Sequence, residues 1–347
     1  MNILIIKLSA IGDVVHTLPS LALLRKLYPN THITWVIEEA ASYLIFGHPD
    51  LDQVIISRRK AWIEDLKRGK IWPVAREVHS FFKALRSQSY DMVIDFHGLF
   101  KSAVMVAISG GKRKIGYDSL QEMSGLFYNE RIPEDMGKHA VDRYMDFIRY
   151  LDRKDGLGNN MPVLFHIPIQ ETNHRRVEAL LAEHGLDIHK SFVAVNPLAL
   201  WETKLWSDEK FAELGDRIVN ELNIPVVFTG SQSAYTDGIG RRMHRPSIHL
   251  GGKTSLKDLA ALYGKASLLV TTDSGPMHIA AAVGTPVVAL FGPTDPVRTG
   301  PYGEKHIVIR KDLACSPCFK KDCPTRQCLE EVEVEDVFAA VKHILVA

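Results

Sequence analysis

The sequence predicts two doubly wound α/β domains facing a cleft, and three observations carry that expectation. Apolar, strand-like runs alternate with helical patterns through both halves of the chain. A polar, glycine-rich stretch, Asp152-Arg153-Lys154-Asp155-Gly156-Leu157-Gly158-Asn159-Asn160, divides the two arrays as a linker would. The length of 347 residues exceeds that of a usual single α/β domain, and a 46% hydrophobic content supplies two cores. The expected domains are residues 1–155 and 165–330, with a final helix in 331–347 that has the option of crossing back to the first domain.

Residues 2–8 read as an apolar, buried parallel strand. Residues 14–28 read as a helix with Leu18, Leu21, Leu24 and Tyr28 on one side, and Pro19 inside it implies a late start or a kink. Strands follow at 32–37, 53–57 and 90–96, then a helix at 99–109, a strand at 113–117 and a helix at 139–151. The second half repeats the alternation. Strands are expected at 192–196, 225–229, 267–271 and 286–291, and helices at 208–222, 256–263 and about 334–345. Ligands of such Rossmann-like domains bind beyond the carboxyl ends of the strands. The loops after residues 8, 96, 196, 230, 271 and 291 therefore hold the candidate chemistry.

Composition removes several classes. The formal net charge is +1, so no global field favours nucleic acid. No run approaches the roughly 18 apolar residues of a membrane span, and the N-terminus reads as a strand without a basic leader, so a cytoplasmic protein is expected. The four cysteines, Cys315, Cys318, Cys323 and Cys328, share one short stretch. Three readings stand: reduced structural thiols, a zinc site begun by the C-x2-C pair, or a disulfide.

The most informative segment is Thr271-Thr272-Asp273-Ser274-Gly275-Pro276-Met277-His278, an apolar strand running into a small-residue helix. Ser274 can cap that helix, Gly275 admits close approach of a ligand, and Pro276 suits the first turn. The N–H groups from Ser274 to Met277 and the helix dipole then favour an anion. Asp273 orders the turn or meets a sugar hydroxyl. The bland alternative is a strand-to-helix turn with no ligand.

The first loop, Lys7-Leu8-Ser9-Ala10-Ile11-Gly12-Asp13, has one glycine where a dinucleotide fingerprint needs three, which argues against a nicotinamide enzyme. Asp13 reads as a helix cap, as a general base for an acceptor hydroxyl, or as both. Lys204, in Trp201-Glu202-Thr203-Lys204, can neutralise a diphosphate leaving group, or it is a solvated loop lysine. Trp206 reads as a staple for the helix opened by Ser207. Gln232 can meet a ribose or base, or it belongs to a surface turn. The stretch Arg58, Arg59, Lys60, Lys67, Arg68 and Lys70, interleaved with Trp62 and Trp72, is a solvated face or a surface for an anionic amphiphile at a membrane. Lys101, after His97-Gly98-Leu99-Phe100, can join it.

Together these motifs resemble glycosyltransferase family 9, the ADP-heptose:lipopolysaccharide heptosyltransferases. Ile6 to Pro19 is similar to the family's N-terminal signature, and Asp273 to Ala282 with Phe291-Gly292-Pro293-Thr294-Asp295-Pro296 is similar to its C-terminal one. Asp95 to Ala103 and Leu126-Phe127-Tyr128-Asn129 look most like the heptosyltransferase I branch. Gln232 stands where that branch often has a donor-ribose glutamate, and no arginine accompanies Ser119-Leu120-Gln121, where it tends to have one for acceptor phosphate.

The resemblance implies a GT-B fold with the acceptor in the first domain and ADP-heptose in the second. It implies Asp13 as base, Lys204, Asp273 and His278 on the donor, and Lys7 with the basic residues near Arg58 on the acceptor; with the loop readings above, the expected donor set is Thr203, Lys204, Gln232, Asp273, Ser274, Gly275, Pro276, Met277 and His278, and the expected acceptor set Lys7, Ser9, Arg58, Arg59, His97 and Lys101. It further implies inverting transfer from ADP-L-glycero-D-manno-heptose to the Kdo and inner-core region of lipopolysaccharide, at the cytoplasmic face of the inner membrane. No cofactor is expected, since no Asp-x-Asp pair suited to a divalent metal stands at a strand end. The rival expectations are a later heptosylation step or another sugar, a sugar-nucleotide epimerase of the same fold, and a non-catalytic binding protein.

Overall fold

The computed structural model describes residues 1–119, 121–152 and 163–346. Leu120, and the expected linker from residue 153 on, lie outside the described residues. The chain divides into two compact units, Met1–Pro168 and Ile169–Ala347.

Among the described residues the first unit holds a parallel sheet of β1 (Asn2–Ile6), β2 (His32–Glu38), β3 (Gln53–Ser57), β4 (Met92–Asp95), β5 (Arg113–Tyr117) and β6 (Glu130–Ile132). Their order is β3-β2-β1-β4-β5-β6, with Ile3 opposite Ile33 on one side and Met92 on the other. Ile3, Leu4, Ile5 and Ile6 are fully buried, as expected of a central parallel strand covered on both faces. The expected strand at 2–8 ends two residues early, and this releases Lys7 and Leu8 beyond the sheet edge.

The Ile11–Leu27 helix starts earlier than residue 14 and continues through Pro19. The ring costs a helical hydrogen bond, but fully buried Leu18, Leu21 and Leu24 hold the helix on the sheet. The basic stretch, read as a face without assigned structure, forms the helices Arg59–Lys67 and Ile71–Leu85.

The second unit's sheet comprises β7 (Val193–Asn196), β8 (Val226–Phe228), β9 (Ile248–His249), β10 (Leu268–Thr272), β11 (Val287–Leu290) and β12 (Ile307–Ile309). All its pairings are parallel, in the order β12-β11-β10-β7-β8-β9. Counted within its own unit, each sheet has the same doubly wound sequence of strands, with the reversal at β1/β4 and at β7/β10.

Trp206 meets the staple expectation. It precedes the cap Ser207, and its ring stands edge-on to Phe211 at 4.9 Å while Nε1 donates to the Val332 carbonyl at 3.0 Å. The final helix, Val334–Val346, packs within the second unit on the Asp208–Leu222 helix and on β10, β11 and β12. Its apolar residues Val337, Phe338 and Val341 are buried there. Among the described residues no helix is long and apolar enough to cross a membrane.

Candidate active site

In the first unit, the reversal at β1/β4 gathers Lys7, Asp13 and His97 at the carboxyl edge of the sheet, with the partly exposed Ser9 on the intervening loop. Asp13 occupies the third helical position. Its Oδ2 accepts the Ala10 N–H at 3.1 Å, which satisfies the cap reading. Its Oδ1 accepts the Tyr144 hydroxyl at 3.0 Å and lies 3.7 Å from Lys7 Nζ. Burial raises the Asp13 pKa, but Lys7, the Ala10 N–H, His97 and Tyr144 outweigh it and hold the group below its ordinary value. The carboxylate is therefore ionised at neutral pH, and its side chain is 36% exposed.

Lys7 differs from its expected acceptor role. Its side chain is 4% exposed, and Nζ donates to Tyr144 Oη at 2.5 Å and to the Phe96 carbonyl at 3.1 Å. Burial lowers its pKa against the pull of Asp13. It therefore backs Asp13 from inside instead of being presented to a ligand. Tyr144, on the Ala140–Leu151 helix, completes this chain of contacts, and sequence reasoning missed it.

Asp95 at the end of β4 is fully buried. Its Oδ1 accepts the N–H groups of His97 at 2.8 Å and Gly98 at 3.2 Å, and its Oδ2 accepts the Tyr128 hydroxyl at 2.7 Å. Gly98 has φ +70°, a left-handed turn that glycine adopts without strain. This pinned turn aims His97, whose two ring nitrogens are buried with no hydrogen-bond partner among the described residues. Burial, then the charges of Lys7 and Lys101, push the His97 pKa down to about 3. The imidazole is therefore neutral, with one donor and one acceptor left unpaired inside the protein among the described residues.

The basic stretch is not a bare cationic face. Arg58 pairs with Glu39 at 3.4 Å and Glu77 at 3.0 Å, while Arg59 and Lys101 both pair with Glu38. Reading the cations alone missed these carboxylates.

In the second unit, the reversal at β7/β10 brings Lys204 to Asp273. Lys204 Nζ donates to Asp273 Oδ2 at 2.5 Å, and Thr294 Oγ1 donates to the same oxygen at 2.6 Å. Asp273 is 6% exposed and Lys204 is 16% exposed, so the acid holds the ammonium from behind. The Trp201 ring centroid lies 4.6 Å from Lys204 Nζ.

Ser274 takes the N-cap position of the Gly275–Ala282 helix without making the expected cap bond. Its hydroxyl accepts from Asn196 Nδ2 at 3.2 Å and sits 3.3 Å from Thr271 Oγ1. Asn196 Oδ1 is buried with no hydrogen-bond partner among the described residues, an acceptor open at the strand reversal. Pro276 has no N–H, and the Met277 N–H is taken by the Ser274 carbonyl at 3.2 Å. Backbone donation to an anion thus narrows to Ser274 and Gly275. Met277 is fully buried and His278 is 7% exposed, so both are core neighbours of the site.

Gln232 is exposed at the cap of the Ser233–Gly240 helix. Thr203 is 2% exposed and donates to the Lys320 carbonyl at 2.9 Å, so it anchors a loop and does not face a donor. That loop carries the four cysteines, all free thiols. Ser316 Oγ donates to the Gly292 carbonyl at 2.6 Å, and the N–H groups of Cys318 and Phe319 donate to that of Pro293. Among the described residues no three or more His, Cys, Asp or Glu side chains gather as a metal site.

Each unit can therefore do one kind of chemistry. The first presents an ionised carboxylate beside a neutral imidazole. The second presents an ammonium group beside a helix N-terminus.

The model of glycosyltransferase family 9 (heptosyltransferase) matches residues 78–329. The lipopolysaccharide heptosyltransferase 1 of Pseudomonas aeruginosa is 29% identical over 97% of this chain and 91% of its own length. The lipopolysaccharide heptosyltransferase 3 of Escherichia coli K12 is 28% identical over 96% and 95%. The solved E. coli heptosyltransferase WaaC with ADP shares the fold, with a TM-score of 0.77 and 24% identity over 99% of this chain and 100% of that one. With a matching family model across most of its length and two doubly wound sheets of the GT-B type, the chain belongs to glycosyltransferase family 9, the heptosyltransferase family.

Proposed function

We propose that this glycosyltransferase moves a heptose, with inversion, from ADP-L-glycero-D-manno-heptose to the Kdo and inner-core region of lipopolysaccharide. The observation that carries the reading is Asp13: an ionised, solvent-reaching carboxylate at a strand reversal, steadied by Ala10, Tyr144 and buried Lys7. Asp13 Oδ1 takes the proton of an acceptor hydroxyl as that oxygen forms a bond to the anomeric carbon. The bond from the anomeric carbon to the ADP oxygen breaks, and the charge growing on the diphosphate meets Lys204 and the N–H groups of Ser274 and Gly275.

The heptosyltransferase names of the relatives and the ADP in the WaaC structure support the donor. No cofactor enters this scheme. A lipid-bearing acceptor and peripheral attachment to the inner membrane, from the cytoplasmic side, are supported by exposed Ile63, Leu66, Ile71 and Trp72 among the basic residues of the first unit. A later step is a second reading, favoured by the relative named heptosyltransferase 3.

Mass-spectrometric product analysis with ADP-heptose tests the proposal, with Kdo2-lipid A and heptosylated core as parallel acceptors. Addition of one heptose to Kdo2-lipid A is expected. Addition only to heptosylated core selects the later step. ADP release without acceptor points to sugar-nucleotide chemistry of the epimerase kind, and no ADP release with either acceptor leaves a binding protein.

A further inference from the structure

The segment 310–328 contains no buried residue, so no core of its own holds it in place. Hydrogen bonds attach it instead to the two loops that frame Lys204 and Asp273. Thr203 Oγ1, beside Lys204, donates to the Lys320 carbonyl at 2.9 Å. On the other side, Ser316 Oγ donates to the Gly292 carbonyl at 2.6 Å, and the N–H groups of Cys318 and Phe319 donate to the Pro293 carbonyl at 3.0 and 2.8 Å. Next to Pro293, Thr294 Oγ1 holds Asp273. These attachments bring Lys321 to Trp201. Lys321 Nζ lies 5.2 Å from the ring centroid, and Lys204 Nζ lies 4.6 Å from the same centroid. The ring attracts each cation, but the two ammonium groups are then within about 10 Å of one another, roughly one Debye length at 0.1 M salt, and repel. Asp273 matches the charge of Lys204 at 2.5 Å. Lys321 has no such match, since among the described residues it makes no ion pair with a carboxylate. The Lys204–Asp273 pair carries no net charge, whereas a diphosphate carries at least two negative ones, so that pair alone leaves most of the charge unmet.

We infer that Lys321 is a second donor-binding cation: the cysteine-bearing loop carries it to Trp201, where it meets the diphosphate of the donor together with Lys204. The inference rests on the ADP-heptose reading above, and it makes the loop a wall of the donor site.

The test is calorimetric titration of ADP, without acceptor, into the full chain and its Lys321→Gln and Lys321→Arg variants. Lys321 is exposed in a loop without buried residues, so neither change threatens the fold. At low salt Lys321→Gln is expected to raise the Kd for ADP about fivefold, the upper range for a solvent-reaching charge pair. Lys321→Arg keeps the charge and is expected to stay within about twofold of the wild type. At about 1 M salt, where the screening length falls to about 3 Å, the gap between Lys321→Gln and the wild type is expected to close. A loss that Lys321→Arg shares, or one that persists at high salt, overturns the inference, since either marks lost packing on Trp201 instead of lost charge. A wild type that binds ADP no better than Lys321→Gln does at low salt overturns this inference alone. A wild type that binds no ADP sinks the donor reading, and this inference with it.

Discussion

The two units use one topology to opposite electrostatic ends. In the first, Lys7 is 4% exposed and stands behind Asp13, which is 36% exposed. In the second, Asp273 is 6% exposed and stands behind Lys204, which is 16% exposed. Each pair sits beyond the same strand reversal of its own sheet, yet the buried partner is the cation in one and the anion in the other. A buried partner of opposite charge fixes the aim of the group in front of it, and in the first unit Lys7 also helps to hold the Asp13 pKa below its ordinary value. A doubly wound sheet thus supplies the site's location, and on the transfer reading proposed above the choice of which charge to bury sets its chemistry: proton acceptance in the first unit, anion stabilisation in the second.

The comparison breaks most directly at its presented groups. Asp13→Ala is expected to lower kcat by about two to four decades, the range for a lost general base. Steady-state turnover within threefold of the parent would remove Asp13 from that role. Lys204→Ala is expected to lower kcat by about 10²–10³, as for a lost donor to developing negative charge, and to raise the KM for ADP-heptose. Both constants unchanged would count against it.

Two stability measurements sharpen the account. Trp206→Ala removes the staple and the bond to Val332, and denaturant titration is expected to show a loss of about 3–5 kcal/mol. His97 titrates near 3 when folded against 6.5 as a free side chain. Between those values the unfolded chain binds the extra proton, so stability falls as pH drops from 6.5 towards 3, by at most about 1.4 kcal/mol per pH unit from this group. Thermal unfolding across that range should therefore be less pH-dependent in His97→Gln, and an identical slope would contradict the burial of a neutral ring.

Much of the frame was legible in the sequence because buried parallel strands are continuous apolar runs. β3 and β5 fall where the pattern placed them. Short strands such as β9, with two residues, carry too little pattern to read. Asp13, Lys204 and Asp273 were legible because polar residues end apolar strands at loops. What surrounds the site was not: Tyr144 meets Asp13, Asn196 meets Ser274 and Glu38 meets Lys101 only through the fold, from 131, 78 and 63 positions away. Thr203 and Met277 were assigned to the donor from neighbouring motif residues, whereas side-chain direction turned one to the Lys320 carbonyl and the other into the core.

Calorimetric titration of ADP into the wild type, Asp13→Asn and Lys204→Ala tests the division of labour most directly. The account expects Asp13→Asn to bind ADP as the wild type does and Lys204→Ala to bind at least tenfold more weakly. Equal losses in both variants, or a loss confined to Asp13→Asn, would contradict it.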